Sequence, residues 1–421
     1  MGKKYLARIA DSRLRNALES NGAVCIVGAK WCGKTETAKQ KAASVLYMQD
    51  PDHAQSYLAA ADAKPSVLLR GKTPRLIDEW QMAPVLWDAV RFAVDQRGLN
   101  GQFILTGSVV PKDESIMHTG TGRIVRLLMR PMSLFESEES NGEVSLLSLF
   151  NGRGECSSMS QMGVEDIASA IARGGWPDAV KTKGEAALQK ARDYVDAVVE
   201  QDMSSVDGTK RNPQKVRLLM RSYARNISSG ASIGTIRADI AADDDSLSKS
   251  STDDYLAALR RIFVIEELPA WNPALRSKTT IRTSPTRHFV DPSIAVAALD
   301  ASPEWLLSDF ETFGLFFESL CVRDLRVYAQ ALGGKLFHYL DKDGLESDIV
   351  IQLNDGRWAA VEVKMGKSKI DDGAGHLLAL KNKIDVNRMG TPSFLMVVTS
   401  GEVAYARPDG VYVVPLACLK D

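Results

Sequence analysis

Gly28-Ala29-Lys30-Trp31-Cys32-Gly33-Lys34-Thr35 carries the spacing G-x-x-x-x-G-K-[ST] directly after an unbroken apolar run, Ala23-Val24-Cys25-Ile26-Val27. Such a run reads as a strand buried on both faces, and a helix pattern follows from Lys34. In that setting the glycines let backbone N–H groups turn inward around phosphate oxygens with no Cβ in the way. The first helical turn, through Glu36, adds its positive dipole end. Lys34 is then placed for the β- and γ-phosphates of a nucleotide, and the Thr35 hydroxyl for Mg2+. A second apolar segment, Pro74-Arg75-Leu76-Ile77-Asp78-Glu79, ends in two carboxylates at the sheet edge where phosphates would lie. Asp78 is expected to hold Mg2+, directly or through water, and Glu79 to polarise the attacking water. A third segment ends Leu105-Thr106-Gly107-Ser108, so Thr106 and Ser108 are placed to sense the γ-phosphate. Asn382-Lys383-Ile384-Asp385 spells a guanine-recognition sequence, but it lies on a helix whose Leu377, Leu380 and Ile384 face a core. ATP is the expected nucleotide.

A second set of carboxylates lies near the C-terminal end. Glu346 to Leu353, the loop Asn354-Asp355-Gly356, and Arg357 to Lys364 read as a β-hairpin whose three-residue loop pairs Leu353 with Arg357. That register pairs Asp348 with Glu362 and Glu346 with Lys364. Alternation then puts Ile349, Ile351, Leu353, Ala359, Val361 and Val363 on one face, and Glu346, Asp348, Glu362 and Lys364 on the other. Asp348 and Glu362 with Lys364 suit Mg2+-assisted phosphodiester cleavage, the carboxylates holding the metal and the lysine orienting or activating water. Glu318 sits on an apolar helical stripe with Leu315, Cys321, Val322 and Leu325, where a carboxylate needs a partner; the same metal would serve. The alternative is an inert cross-strand Glu–Lys pair on a solvated face. Both readings stay open at this point.

The elements that position these groups follow from composition and pattern. The chain has 421 residues, 45% hydrophobic and 25% charged, with a formal net charge of -1. It reads as a soluble globular chain of two or three domains, with no global basic field to steer it onto nucleic acid. Five scattered cysteines without a C-x-x-C pair read as reduced thiols. With no secretory leader pattern and no apolar stretch near the ~18 residues of a membrane span, a cytoplasmic protein that does not engage membranes is expected. Residues 1–135 alternate strand and helix: a helix over 5–20, strands at 23–27, 45–48, 74–78 and 102–106, a helix over 84–97, and a loop from Gly107 to Gly122. This is a parallel α/β sheet of P-loop type. Residues 136–230 form a helical lid, with helices near 164–173, 185–201 and 213–228. Residues 231–292 resemble a winged helix, with strands at 262–268 and 286–290 and Ser251 or Thr252 capping the helix that ends near Arg260-Arg261. Its acidic start, Asp253-Asp254, suits protein packing better than DNA reading. Residues 293–421 form a second α/β unit, a long helix over 308–332 followed by strand, strand, strand, helix, strand.

The phosphate loop, Ile77-Asp78-Glu79-Trp80-Gln81, Leu105-Thr106-Gly107-Ser108, Gly122-Arg123, Arg130-Pro131-Met132-Ser133 and Gly174-Gly175-Trp176-Pro177 fall in one order. That order resembles a prokaryotic group of AAA-type ATP-binding proteins whose C-terminal half is a domain of unknown function, over nearly the whole chain. The resemblance implies an AAA-like α/β fold, a helical and winged-helix middle, and a C-terminal α/β domain similar to restriction-endonuclease-type nucleases of the PD-(D/E)XK pattern. It also implies that Arg123 is an arginine finger. The chain departs from the group at Ala29-Lys30-Trp31, where the pattern has proline and a basic-polar pair. Two function classes follow: an ATPase cycle that regulates an Mg2+-dependent nuclease, or a nucleotide-switched interaction module whose nuclease fold is inert. ATP is the expected partner; nucleic acid and a second copy of the chain stay open.

Overall fold

Strand β1 (Ala23–Val27) is buried along its whole length, as a strand covered by helices on both faces must be. The computed structural model describes residues 4–108, 122–154, 156–206, 208–241, 248–273 and 284–421. The chain divides into two compact units, the first being Met1–Pro131, Gln201–Lys210 and Ala257–Phe263. Within it β1 joins β2 (Ser44–Tyr47), β3 (Arg75–Asp78), β4 (Phe103–Gly107) and β5 (Ile124–Leu128) in a parallel sheet ordered β2-β3-β4-β1-β5. Helices α1 (Ile9–Ser20), α2 (Lys34–Lys39), α3 (Ala54–Ala63) and α4 (Val85–Arg97) belong to the same unit. Trp80, Leu86, Trp87, Val90, Phe103 and Leu105 are among the residues of its core.

Three features of this unit differ from the expected pattern. Helix α1 begins at Ile9 rather than residue 5, because the Asp11 carboxylate accepts the Arg8 N–H at 2.9 Å and ends the extended lead-in there. Helix α3 buries only Ala61 outright, with Tyr57, Leu58 and Ala60 packed against the core while partly exposed, a weaker apolar stripe than that of α4. Strand β5 buries only Ile124 and Leu127, too little for a periodic signal, yet it pairs with β1 residue for residue from Ala23↔Ile124 to Val27↔Leu128. Most of the expected loop from Gly107 to Gly122 lies outside the described residues.

The second unit comprises Met132–Glu200, Arg211–Leu256 and Val264–Asp421. Its helices Val164–Arg173, Glu185–Ala197 and Pro213–Arg225 fall close to the expected positions. The helix Lys249–Arg261 starts one turn earlier than expected: Ser248 Oγ, not Ser251 or Thr252, takes the capping role by accepting the Ser251 N–H at 3.2 Å. Among the described residues the strands expected at 262–268 and 286–290 reduce to two antiparallel bridges, Ile265↔Phe289 and Leu268↔Thr286.

Short strand β6 (Val144–Ser145) pairs with β14 (Leu419–Lys420). The main sheet contains β7 (Ser158–Met159), β8 (Gly334–Leu340), β9 (Glu346–Leu353), β10 (Trp358–Lys364), β11 (Leu395–Thr399), β12 (Val403–Ala406) and β13 (Val411–Pro415), ordered β7-β12-β13-β11-β10-β9-β8. The helix Ile370–Lys383 covers Val350, Trp358, Ala360 and Val397 through Ile370, Ala374, Leu377 and Leu380. The Asn-Lys-Ile-Asp segment is structural here: Lys383 pairs with Asp343 at 2.7 Å, and Asp385 caps the following turn by accepting the Asn387 N–H at 3.0 Å.

A buried ionic cluster ties distant segments of this unit together. Arg323, on the helix Phe310–Ala331, lies 3.0 Å from Asp291 and 2.7 Å from Asp324. Asp324 accepts the Leu134 N–H at 2.9 Å, and Asp291 accepts the Gly175 N–H at 3.0 Å. A Cβ on Gly175 would stand 2.1 Å from the Met132 carbonyl oxygen. The Gly174-Gly175-Trp176-Pro177 turn and the corner at Met132 are therefore packing features. Among the described residues no helix is long and apolar enough to cross a membrane.

Candidate functional site

The phosphate loop leaves β1 at Gly28, whose φ of +150° and closeness to β5 both require glycine. A Cβ there would stand 2.0 Å from the Met129 carbonyl oxygen, a backbone atom that cannot swing aside. Gly28→Ala is accordingly expected to displace the loop and weaken nucleotide binding at least tenfold, read by titration with a fluorescent ATP analogue. Trp31 at φ 63° and Gly33 at φ 101° turn the rest of the loop. Ala29 and Cys32 are buried, while Trp31 is 50% exposed. Lys34 is buried, and its Nζ donates to Gly28 O at 3.0 Å and Ala29 O at 2.8 Å. These two bonds go to neutral acceptors, so an anion at the loop would add to the countercharge that Glu79 provides.

The Thr35 hydroxyl donates to Asp78 Oδ1 at 2.7 Å, and the Thr106 hydroxyl donates to the same oxygen at 2.6 Å. Thr106 therefore orients Asp78. Ser108 is buried beside it in sequence. The hydroxyl of Thr35 and the buried carboxylate of Asp78 form an all-oxygen donor set, which suits Mg2+. Glu79 follows in left-handed backbone at φ 56° and accepts a hydrogen bond from Gln81. Burial pushes its carboxyl above the usual range, opposed by the Lys34 charge and the Gln81 hydrogen bond. Two of the residues expected to line the nucleotide have side-chain partners within the protein. Lys30 pairs with Asp202 of the segment Gln201–Lys210, and Glu36 is exposed on α2 and pairs with Lys39 at 2.8 Å. Arg123 Nε donates to Asp95 Oδ1 on α4 at 2.8 Å, half exposed.

In the second unit the hairpin forms in the expected register, from Trp358↔Gln352 to Val361↔Ile349. The ladder stops there. Asp348 Oδ2 accepts the Val363 N–H at 2.7 Å, so a side chain takes the place of a strand partner and β9 parts from β10. Meanwhile β10 continues along β11 through Lys364↔Thr399. The parted strands line a cleft of about 670 Å3, bordered by Phe310, Glu318, Asp348, Lys364, Asp372 and His376.

Lys364 does not reach Glu346 as the register implied. Its Nζ lies 2.6 Å from Glu362 Oε2 and 3.4 Å from Asp348 Oδ2. Burial, with the Asp348 charge added, pushes the Glu362 carboxyl up to about 8, and Lys364 opposes the rise. Burial, then the Asp348 charge, holds Glu318 well above the ordinary range. Among the described residues no three His, Cys, Asp or Glu side chains are grouped to hold a metal ion. Glu318 and Asp348 line the same cleft, and the Lys364 ammonium lies between Asp348 and Glu362. His376, 3.7 Å from Glu362 through Nδ1, is a cleft residue with no sequence signal beyond its place on the following helix.

Three family models match successive parts of the chain: an AAA domain over residues 20–138, a domain of unknown function (DUF8612) over 164–304, and a second (DUF4143) over 313–419. No curated protein matches. Among solved structures, the Walker-type ATPase PABY2304 of Pyrococcus abyssi is similar at 13% identity and a TM-score of 0.40, over 70% of this chain and 96% of that one. The first unit, with its parallel sheet and phosphate loop, is an AAA-type P-loop domain of mixed α/β architecture.

Proposed function

We propose that this chain is a cytoplasmic ATP hydrolase that uses Mg2+, and that its nucleotide state switches an interaction module. The observation that carries the ATP reading is Lys34, a buried ammonium hydrogen-bonded to two neutral carbonyls of a glycine loop. In this reading Lys34 and the loop N–H groups hold the phosphates, and Thr35 with Asp78 would hold the metal. Mg2+, when bound, offsets phosphate charge. Glu79, fixed by Gln81, accepts the proton of the attacking water. Arg123 would serve a second copy of the chain, leaving an exposed pair with Asp95 of the kind whose strength is only about 0–1 kcal/mol.

Lys34→Ala is expected to lower ATP affinity below detection by calorimetry while the parent binds. Equal affinity in the two proteins would remove the site assignment.

For the C-terminal unit the reading is a nuclease-like fold without cleavage activity. It is supported by Lys364, which offsets both strand carboxylates at the place where a cation would act. The test is Mg2+-dependent cleavage of single- and double-stranded DNA and RNA, with and without ATP. No cleavage is expected, and cleavage that disappears in Asp348→Ala would overturn this half of the reading.

A further inference from the structure

The segment before α1 reaches the back of the phosphate loop. Arg8 is 6% exposed, and its two terminal nitrogens diverge to two separate stretches of backbone. Nη1 donates to the Cys32 carbonyl at 2.8 Å, inside the loop, and Nη2 donates to the Arg130 carbonyl at 2.8 Å, just past β5. Arg8 is itself anchored: its N–H is held by Asp11 Oδ2 at 2.9 Å, and Asp11 Oδ1 accepts the Tyr5 hydroxyl at 2.7 Å. The Tyr5 hydroxyl also lies 2.9 Å from Thr37 Oγ1 on α2, the helix that the loop leads into.

We propose that Arg8 is a positioning residue for nucleotide binding, fixing the peptide between Cys32 and Gly33 so that its N–H faces the phosphates. This rests on the ATP reading above. A trans peptide is planar, with its C=O and N–H pointing in opposite directions. Holding the Cys32 carbonyl outward therefore directs the Gly33 N–H inward, toward the phosphate side of the loop. Without that anchor the peptide is free to turn over, since Gly33 tolerates both signs of φ. The Arg130 carbonyl supplies the second fixed point, so the loop is set relative to β5 and does not drift with α1. A lysine keeps the charge but has no planar fork that spans two carbonyls at once. The guanidinium also leaves a positive charge behind the loop, on the side opposite the incoming phosphates.

The experiment uses the full chain. ATP affinity, kcat and KM are measured for the parent, Arg8→Gln, Arg8→Lys and Lys34→Ala, with urea unfolding followed in parallel. Arg8→Gln is expected to raise KM and the dissociation constant for ATP at least tenfold, with a kcat that falls by a smaller factor. Arg8→Lys should recover less than half of that loss on a logarithmic scale, because charge alone does not hold the peptide. If Arg8→Gln does not fold, Arg8→Lys is judged by the same standard against the parent. A folded variant that binds ATP within twofold of the parent overturns the proposal, while Lys34→Ala still decides the ATP reading separately. A parent that binds no ATP overturns both.

Discussion

Glu79→Gln is expected to bind ATP as the parent does and to turn it over about 10²–10⁴-fold more slowly, the range for a positioned general base. The backbone at Glu79 is left-handed, and the carboxylate is held by Gln81 next to the buried Asp78. The amide variant keeps the shape of the side chain and removes the lone pair that takes a proton. Phosphate contacts through Lys34 and Thr35 are untouched, so the effect falls on kcat and not on affinity. The pH profile gives an independent check. Burial raises the Glu79 carboxyl above its ordinary range, and the base must be deprotonated to act. Turnover in the parent should therefore decline as pH falls, starting at a pH above the ordinary glutamate value, while ATP affinity holds. Gln81→Ala removes the hydrogen bond that opposes the rise, so it should move that limb to still higher pH. A variant Glu79→Gln with parental turnover would assign the base elsewhere.

The phosphate loop and the acidic strand end were legible because each is contiguous. A glycine loop after an apolar run and an acidic strand end each declare their chemistry within a few residues. The parts that escaped are bonds between segments far apart in the chain. Lys30 and Asp202 are separated by 172 positions, and Arg8 reaches Arg130 across 122. No local pattern encodes such pairs. Thr106 shows a second kind of limit: its place after the third strand was readable, but whether its hydroxyl faces a phosphate or Asp78 depends on the spacing of β3 and β4. Strand β5 was hidden because this edge strand buries only Ile124 and Leu127, three positions apart, which matches no strand period.

The hairpin shows both outcomes within twenty residues. Its register follows from the loop chemistry at Gly356 and was readable. The parting of the strands beyond Ile349 and Val361 was not, because it depends on Asp348 capturing the Val363 N–H. Once the strands part, Lys364 turns toward Asp348 and Glu362 at the border of the cleft.

Lys364→Met is expected to destabilise the C-terminal unit by roughly 3–5 kcal/mol above about pH 8, where the Glu362 carboxyl of the parent is ionised, the usual effect of removing one partner from a buried pair. Glu362 is fully buried and Lys364 Nζ is 2.6 Å from it, so the variant must either bury an unpaired carboxylate or protonate it. Protonation sets the sign of the pH dependence. The folded-state pKa of Glu362 is already raised in the parent, and loss of the ammonium raises it further. An acid whose folded pKa exceeds its unfolded value binds more protons when folded, so stability falls as pH rises between the two values. The deficit of Lys364→Met should therefore shrink when urea unfolding is repeated at about pH 5.5. Adding Glu362→Gln to Lys364→Met should recover part of the loss above about pH 8, because the carboxyl that would have to ionise unpaired, or stay protonated, is gone. A solvated Glu–Lys pair would instead change stability by less than about 1 kcal/mol with no such pH dependence. Magnesium decides between the remaining alternatives: if Mg2+ restores the stability of Lys364→Met but not of the double variant, Asp348 and Glu362 can hold a cation once the lysine leaves. In that case Lys364 guards a metal site. If Mg2+ has no effect, the lysine is the only cation this cleft is built to hold.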